Sequence, residues 1–201
     1  MFLSFGLINK KYNIANMEQN PSYKQIKQKP YCCVPACISM VLDRRGIRHG
    51  SQEEIGYELG LIVPKEDAHL FTKVRTGRKP IAGYGTQVQK KKYSINNYFQ
   101  KNKIRLKETY YPVEDITDVE KFIIDNLKKG NDLLVCFDNK ALYGDGDFGH
   151  VSLIQGINND IVMLVDPEDA RSKDVGLSKL TNAMKAHGRK RSGGFWIISQ
   201  S

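Results

Sequence analysis

No apolar run in this 201-residue chain approaches the roughly 20 residues needed to cross a bilayer, so a membrane-spanning helix is not expected. Nothing repeats internally, which sets aside solenoids and propellers. Cysteine is scarce: four residues, three of them packed between Cys32 and Cys37 and the fourth at Cys136. That distribution is no disulfide framework in a chain this long, and it favours a reducing compartment, the cytoplasm. The opening Met1 to Ile8 is apolar but short, lacks a positively charged lead, and meets Lys10 and Lys11 without a small-residue cleavage site. It reads poorly as a signal peptide. The expectation is a loose arm over residues 1–20, with Met17 as an alternative start, followed by a single domain over residues 21–201. Acidic residues are missing altogether between Lys73 and Lys107, and much of the net charge of +9 lies there.

What the chain does contain is organised around Gln28 to Leu42. Val34, Cys37, Ile38 and Val41 fall on one apolar stripe and predict a helix over 34–42. Pro30 keeps its predecessor extended, and Pro35 is tolerated only within a first turn. Cys33 therefore stands at a helix N-terminus, where free N–H groups and the macrodipole favour a thiolate. Two readings compete: a nucleophile, or a small buried side chain at the start of a core helix.

A second stretch bears on that choice. Gly149 to Pro167 reads as two strands joined by a turn at Asn158-Asn159-Asp160. His150 opens the first strand and Asp166 closes the second, so both stand at the same end of a hairpin. A loop with an odd number of residues puts their side chains on one face, and an even loop puts them on opposite faces. A histidine held by a carboxylate and facing a helix-N-terminal cysteine is what thiol activation requires.

These residues carry a resemblance. Cys33-x-x-Ala36-Cys37-x-x-Met40-Val41, then Gly149-His150-x-x-x-x-x-Gly156, then Asp166-Pro167, resembles the papain-like cysteine peptidases. Within them it is most similar to the double-glycine leader peptidases that process bacteriocins, and to their stand-alone relatives. The resemblance implies Cys33 as nucleophile, His150 as general base and acid, Asp166 as orienting carboxylate, and Gln28 as a side-chain donor to the oxyanion hole. It implies a cleft accepting small residues before the cut. Two positions depart from the pattern: Val34 replaces the usual glycine after the nucleophile, and Gln28 is one residue closer to the cysteine than is typical.

Alternatives to each role are present. Cys32 adjoins Cys33 and competes for nucleophile, and a vicinal disulfide between them would abolish it. Cys32, Cys33 and Cys37 lack paired zinc-ligand spacing, and no metal or cofactor is expected. Asp145 and Asp147 could support His150 in place of Asp166, and Gly144 to Asp147 lacks the full ligand series of a calcium loop. His49, His69 and His187 read as surface residues, and Cys136 as core.

Along the rest of the chain, Ser51 to Glu54 and Thr117 to Glu120 have capping-box form and predict helices ending near Gly60 and Gly130. Ile62 to Gly85 reads as a long loop, Ser94 as the cap of a helix through Lys101, and Ile104 to Tyr111 as a strand. Leu133 to Phe137 reads as a buried strand, Asp138 to Gly149 as a loop, Leu177 to His187 as a helix, and Gly194 to Ile198 as a final strand. Helix first and strands after is an α+β order. It agrees with a papain-like plan: an N-terminal helical lobe carrying the cysteine, and a mostly antiparallel sheet lobe carrying His150 and Asp166.

Three functions fit. One is a cysteine peptidase acting on a peptide or protein. A second is an acyltransferase or transpeptidase that hands the acyl group to another acceptor. A third is a non-catalytic module of the same fold that binds an acidic partner through the basic stretch Lys73 to Lys107. No nucleic-acid motif accompanies that stretch.

Overall fold

A computed structural model describes residues 17–81 and 83–201. The first sixteen residues of the expected N-terminal arm lie outside the described residues. In chain order the elements begin with strand β1 (Met17–Glu18), helix α1 (Cys33–Arg44), helix α2 (Gln52–Glu58), and the short strands β2 (Ile62–Val63) and β3 (Arg75–Thr76). Helix α3 (Ile95–Lys101), strand β4 (Leu106–Pro112), helix α4 (Val119–Lys128), strand β5 (Asp132–Asp138) and helix α5 (Asn139–Tyr143) follow. The chain closes with β6 (Gly149–Asn158), β7 (Ile161–Asp166), β8 (Arg171–Gly176), α6 (Leu177–His187) and β9 (Gly194–Gln200).

The main sheet runs β4-β9-β5-β6-β7-β8, every neighbour antiparallel, with β1 added to β6 at Gly156 and Ile157. The final strand β9 therefore sits inside the sheet, between β4 and β5. Side-chain alternation along the strands builds two cores. Leu134, Cys136, Val151, Leu153 and Trp196 face α1, α2 and α3. Leu133, Val135, Phe137, Leu164 and Phe195 face α4 and α6. The architecture is α+β, as the element order predicts.

Local chemistry accounts for most boundaries. Ser51 caps α2 with a complete capping box through Glu54. Ser94 caps α3. The second predicted box is displaced by one residue: Asp118, and not Thr117, caps α4 by accepting from Lys121 N–H. The stretch read as one loop from Ile62 to Gly85 is organised by a 3-10 turn at Lys65–Leu70 and by parallel pairing of β2 with β3. Likewise the segment 138–149 is not all loop, because Asp138 caps α5 through Ala141 N–H.

One buried ion cluster fixes α1 against the sheet. Asp132, fully buried at the start of β5, accepts from Arg44 Nε and Arg45 Nε, both at 2.6 Å, and from the Tyr23 hydroxyl at 2.8 Å. A buried carboxylate is tolerable only when its lone pairs are met in this way. The C-terminal end of α1 is thus pinned to β5, and its N-terminal end is aimed at the start of β6.

Candidate active site

Cys33 is the first residue of α1. No side chain caps this end of the helix, and Pro35, in the first turn, carries no N–H to leave unpaired. The N–H of Cys33 therefore remains available to an anion, as helix N-termini provide. Cys32 faces the opposite way. It is fully buried with Leu61, Val63 and Phe71, and burial, followed by the neighbouring Cys33, pushes its thiol up to about 12. Of the two adjacent cysteines, Cys33 alone lines the cleft. Cys37 and Cys136 are buried in the core, and all four cysteines are free thiols.

His150 and Asp166 come together across β6 and β7. The hairpin turn has two residues, Asn159 and Asp160, because Asn158 already pairs with Ile161. An even loop alone would have placed the two side chains on opposite faces. A β-bulge between Ile154 and Gly156 corrects this: Gln155 is an extra residue, after which Leu153 pairs with Val165. Continuing that register sets Ser152 opposite Asp166, with His150 two positions along the same face. Gln155 is itself anchored, its side chain accepting from Tyr23 N–H at 3.1 Å and donating to Gln19 C=O at 3.0 Å.

His150 Nε2 lies 2.8 Å from Asp166 Oδ1. The ring is almost fully buried and stands edge-on to Phe137, with centroids 5.6 Å apart. With Nε2 engaged, Nδ1 is the nitrogen left for Cys33. Burial is the largest influence on His150 and disfavours its charge. The hydrogen bond to Asp166, then the contact with Cys33, outweigh burial and lift the imidazolium to about 9.

Asp166 is fully buried and saturated with donors. Oδ1 receives His150 and the N–H of Glu168 at 3.0 Å, and Oδ2 receives the Tyr143 hydroxyl at 2.9 Å and Lys173 Nζ at 3.0 Å. Burial alone would raise this carboxyl, but these bonds, that to His150 foremost, bring it well below the usual range. Asp145 and Asp147, the alternatives to Asp166, do not hold the ring. Tyr143 and Lys173 were not foreseen. Tyr143 sits on α5, inside a segment read as loop, and Lys173 on β8, a strand without a sequence signal.

Gln28 lies on the same cleft, but its amide is already engaged. Its N–H donates to Pro167 C=O at 2.7 Å, and its side-chain Nε2 donates to the Glu168 carboxylate. Gln28 Oε1 is buried without a partner among the described residues. Because a carboxylate only accepts, Glu168 fixes which end of the amide carries N–H toward the cleft.

The cleft measures about 690 Å³. Gln28, Tyr31, Cys33 and Tyr84 line one side, and Phe148, His150, Glu168 and Arg191 line the other. Tyr31 and Tyr84 meet edge to face at 6.1 Å.

The remaining sequence expectations divide. His69 is exposed and His49 is partly exposed beside Asp43. His187 is not a surface residue: it is 4% exposed, packed where a Cβ on Gly149 would collide with its ring. The basic stretch is partly used inside the fold, with Arg75 stacked over Tyr57 at 3.8 Å and Lys73 over the same ring at 4.1 Å. Lys90, Lys91 and Lys92 remain exposed. Among the described residues, no group of three or more His, Cys, Asp or Glu could hold a metal, and no helix is long and apolar enough to cross a membrane.

Comparison with known proteins bears on the family and the fold. The model of the Peptidase_C39 like family matches residues 13–189. A Bacillus anthracis protein, whose crystal structure is described as that of a C39-like peptidase, superposes with a TM-score of 0.54. The alignment covers 94% of this chain and 96% of that one at 12% identity, a likeness of fold. A double glycine motif protease from an AMS/PCAT transporter, solved in complex with the leader peptide, gives a TM-score of 0.48. It aligns over 93% of this chain and 99% of that one, at 10% identity. No curated protein matches in sequence.

Proposed function

The chain belongs to the Peptidase_C39 like family, with the α+β papain-like fold, and from that premise we propose a cysteine peptidase working through Cys33, His150 and Asp166. The observation that carries the reading is the 2.8 Å bond from His150 Nε2 to Asp166 Oδ1, at a ring that shares its cleft with Cys33.

The chemistry runs as acyl transfer. The Cys33 thiolate attacks the carbonyl carbon of a peptide bond, and the new S–C bond leaves a tetrahedral oxyanion. The Cys33 N–H and a Gln28 side-chain N–H donate to that oxygen. Gln28 Nε2 carries two hydrogens, so its bond to Glu168 leaves one for the substrate. His150, protonated at Nδ1, gives that proton to the departing amine as the C–N bond breaks. It then takes a proton from water, whose oxygen displaces the thiolate and releases the acid. Asp166 stays ionised throughout and holds the ring in position. Small residues on the acyl side of the cut are what the motif resemblance implies, and the rings of Tyr31 and Tyr84 line the same cleft as Cys33.

The test is intact-mass analysis after an iodoacetamide pulse, coupled to peptide turnover, for wild type, Cys33→Ala and His150→Ala. Loss of both labelling and turnover in Cys33→Ala, with slowed labelling in His150→Ala, is the expected result. Turnover that survives Cys33→Ala overturns the reading.

A further inference from the structure

Two chain segments that meet along a seam at the cleft, one through Tyr84 and one through Arg191, also supply residues to a second pocket. Tyr84 lines the cleft, and Val88 and Gln89, a few residues on, line a second pocket of about 260 Å³. Across the seam, Arg191 lines the cleft and Ser192 lines the pocket. Four residues of extended chain span at most about 14 Å, so Val88 lies within that reach of Tyr84. One short peptide can serve both. Ile95, Tyr110 and Trp196 form the pocket walls, and its one charged residue is Glu108 of β4.

Glu108 is unusual in this chain. Its backbone is tied to Asn96 on both sides, at 2.7 and 2.9 Å. Its carboxylate has no hydrogen bond or ion pair among the described residues. Burial pushes it up to about 7, with no neighbouring charge contributing, although the chain carries a net charge of +9. Lys90 to Lys92 adjoin Gln89 in sequence but are exposed and leave Glu108 unpaired. The aromatic walls are fixed: Trp196 Nε1 donates to Ser192 C=O at 3.2 Å, and the Tyr110 hydroxyl to Gly193 C=O at 2.9 Å.

We propose that this pocket is a subsite for a lysine or arginine side chain of the peptide whose backbone occupies the cleft. The inference rests on the peptidase reading above. The aliphatic stem lies along Val88 and Ile95, and the cation reaches Glu108 between the rings of Tyr110 and Trp196. A neutral side chain leaves the carboxylate without its partner, and an acidic one sets like charge against it, so the pocket selects by penalty as well as by attraction.

Trp196 is the only tryptophan in the chain, which makes its fluorescence a reporter of this pocket. The probes are glycine–alanine hexapeptides carrying one lysine, arginine, norleucine or glutamate, walked across the positions. They are titrated at pH 8 against Cys33→Ala protein, which cannot turn them over. At one position lysine or arginine binds about tenfold more tightly than norleucine, the scale of one charge-assisted hydrogen bond. Glu108→Gln removes that preference and leaves norleucine binding in place. A preference that survives Glu108→Gln, the absence of a preferred position, or no saturable response overturns the subsite. Should Glu108→Gln fail to fold by circular dichroism, the wild-type contrast of lysine with norleucine decides alone. Because binding is read without turnover, failure of the subsite is distinguishable from failure of the peptidase reading, which the Cys33 labelling test decides.

Discussion

His150 and Asp166 share one face of their hairpin only because Gln155 is an extra residue in β6. The two-residue turn sets the strands in a register that would part them, and the bulge shifts that register by one. Gln155 is held in turn by the segment from Gln19 to Tyr23, so a length of chain before α1 secures the geometry of the histidine.

That dependence gives the first prediction. Gln155→Ala keeps the extra backbone residue but strands the Tyr23 N–H and the Gln19 carbonyl, at a cost of about 1–3 kcal/mol. The expected outcome is a melting temperature lower by several degrees, with iodoacetamide labelling of Cys33 little changed. Deleting Gln155 instead turns the start of β6 over relative to β7, and fast labelling is lost. Calorimetry and labelling on both variants check this. A deletion variant that labels like wild type sinks the account.

A second prediction separates the adjacent cysteines. Cys33 opens α1 in the cleft, whereas Cys32 is buried with its thiol held protonated. Rapid alkylation near neutral pH therefore disappears in Cys33→Ala and persists in Cys32→Ala. If Cys32→Ala alone abolishes the adduct, the nucleophile has been placed one residue too late.

Much of this site was legible in the sequence because its chemistry is tied to element ends. Cys33 could be read from the prolines around a helix start, and His150 and Asp166 from the two ends of one hairpin. The bulge could not be read, since Gln155 is an ordinary residue in an apolar strand and its anchors are more than a hundred residues away. The polar neighbours of His187 predict a surface residue, but a glycine at 149 leaves room for its ring in the interior. Tyr143 and Lys173 were missed because the pattern around them is polar, and their common partner is decided only by the folding of α5 and β8 around Asp166. Glu168 carried a weak signal, an acid directly after Asp166-Pro167, but no local rule pairs it with Gln28.

The third prediction concerns Gln28. Removing a single oxyanion donor costs on the order of 10²–10³ in turnover. Gln28→Ala is expected to lose that much while Cys33 labelling stays near wild type, since the amide acts on the tetrahedral intermediate and not on the thiolate. Steady-state kinetics beside a labelling time course measure both. Turnover equal to wild type means that other groups make the oxyanion hole.

The last prediction is a pH dependence. His150 is lifted from an ordinary 6.5 to about 9, so the imidazolium that Cys33 needs persists through neutral pH and is lost as the pH passes about 9. The basic limb of kcat/KM, which reports the free enzyme, belongs there. The sign for stability follows the same shift. A folded pKa raised above the unfolded one contributes stability that is complete below about 6.5 and lost as pH rises through about 9. Asp166 runs the other way: its depressed carboxyl stabilises the fold above its ordinary 3.8 and loses that contribution only in strong acid. Asp166→Asn removes the foremost influence raising His150 and leaves only the Cys33 contact to oppose burial, so the basic limb moves down from about 9 toward the ordinary 6.5. Turnover at pH 8 falls steeply as a result, while activity at pH 6 falls less. Profiles of kcat/KM for wild type and Asp166→Asn, with melting temperatures across the same range, are the measurement. A basic limb that stays near 9 in the variant would show that Asp166 is not what holds the charge on His150.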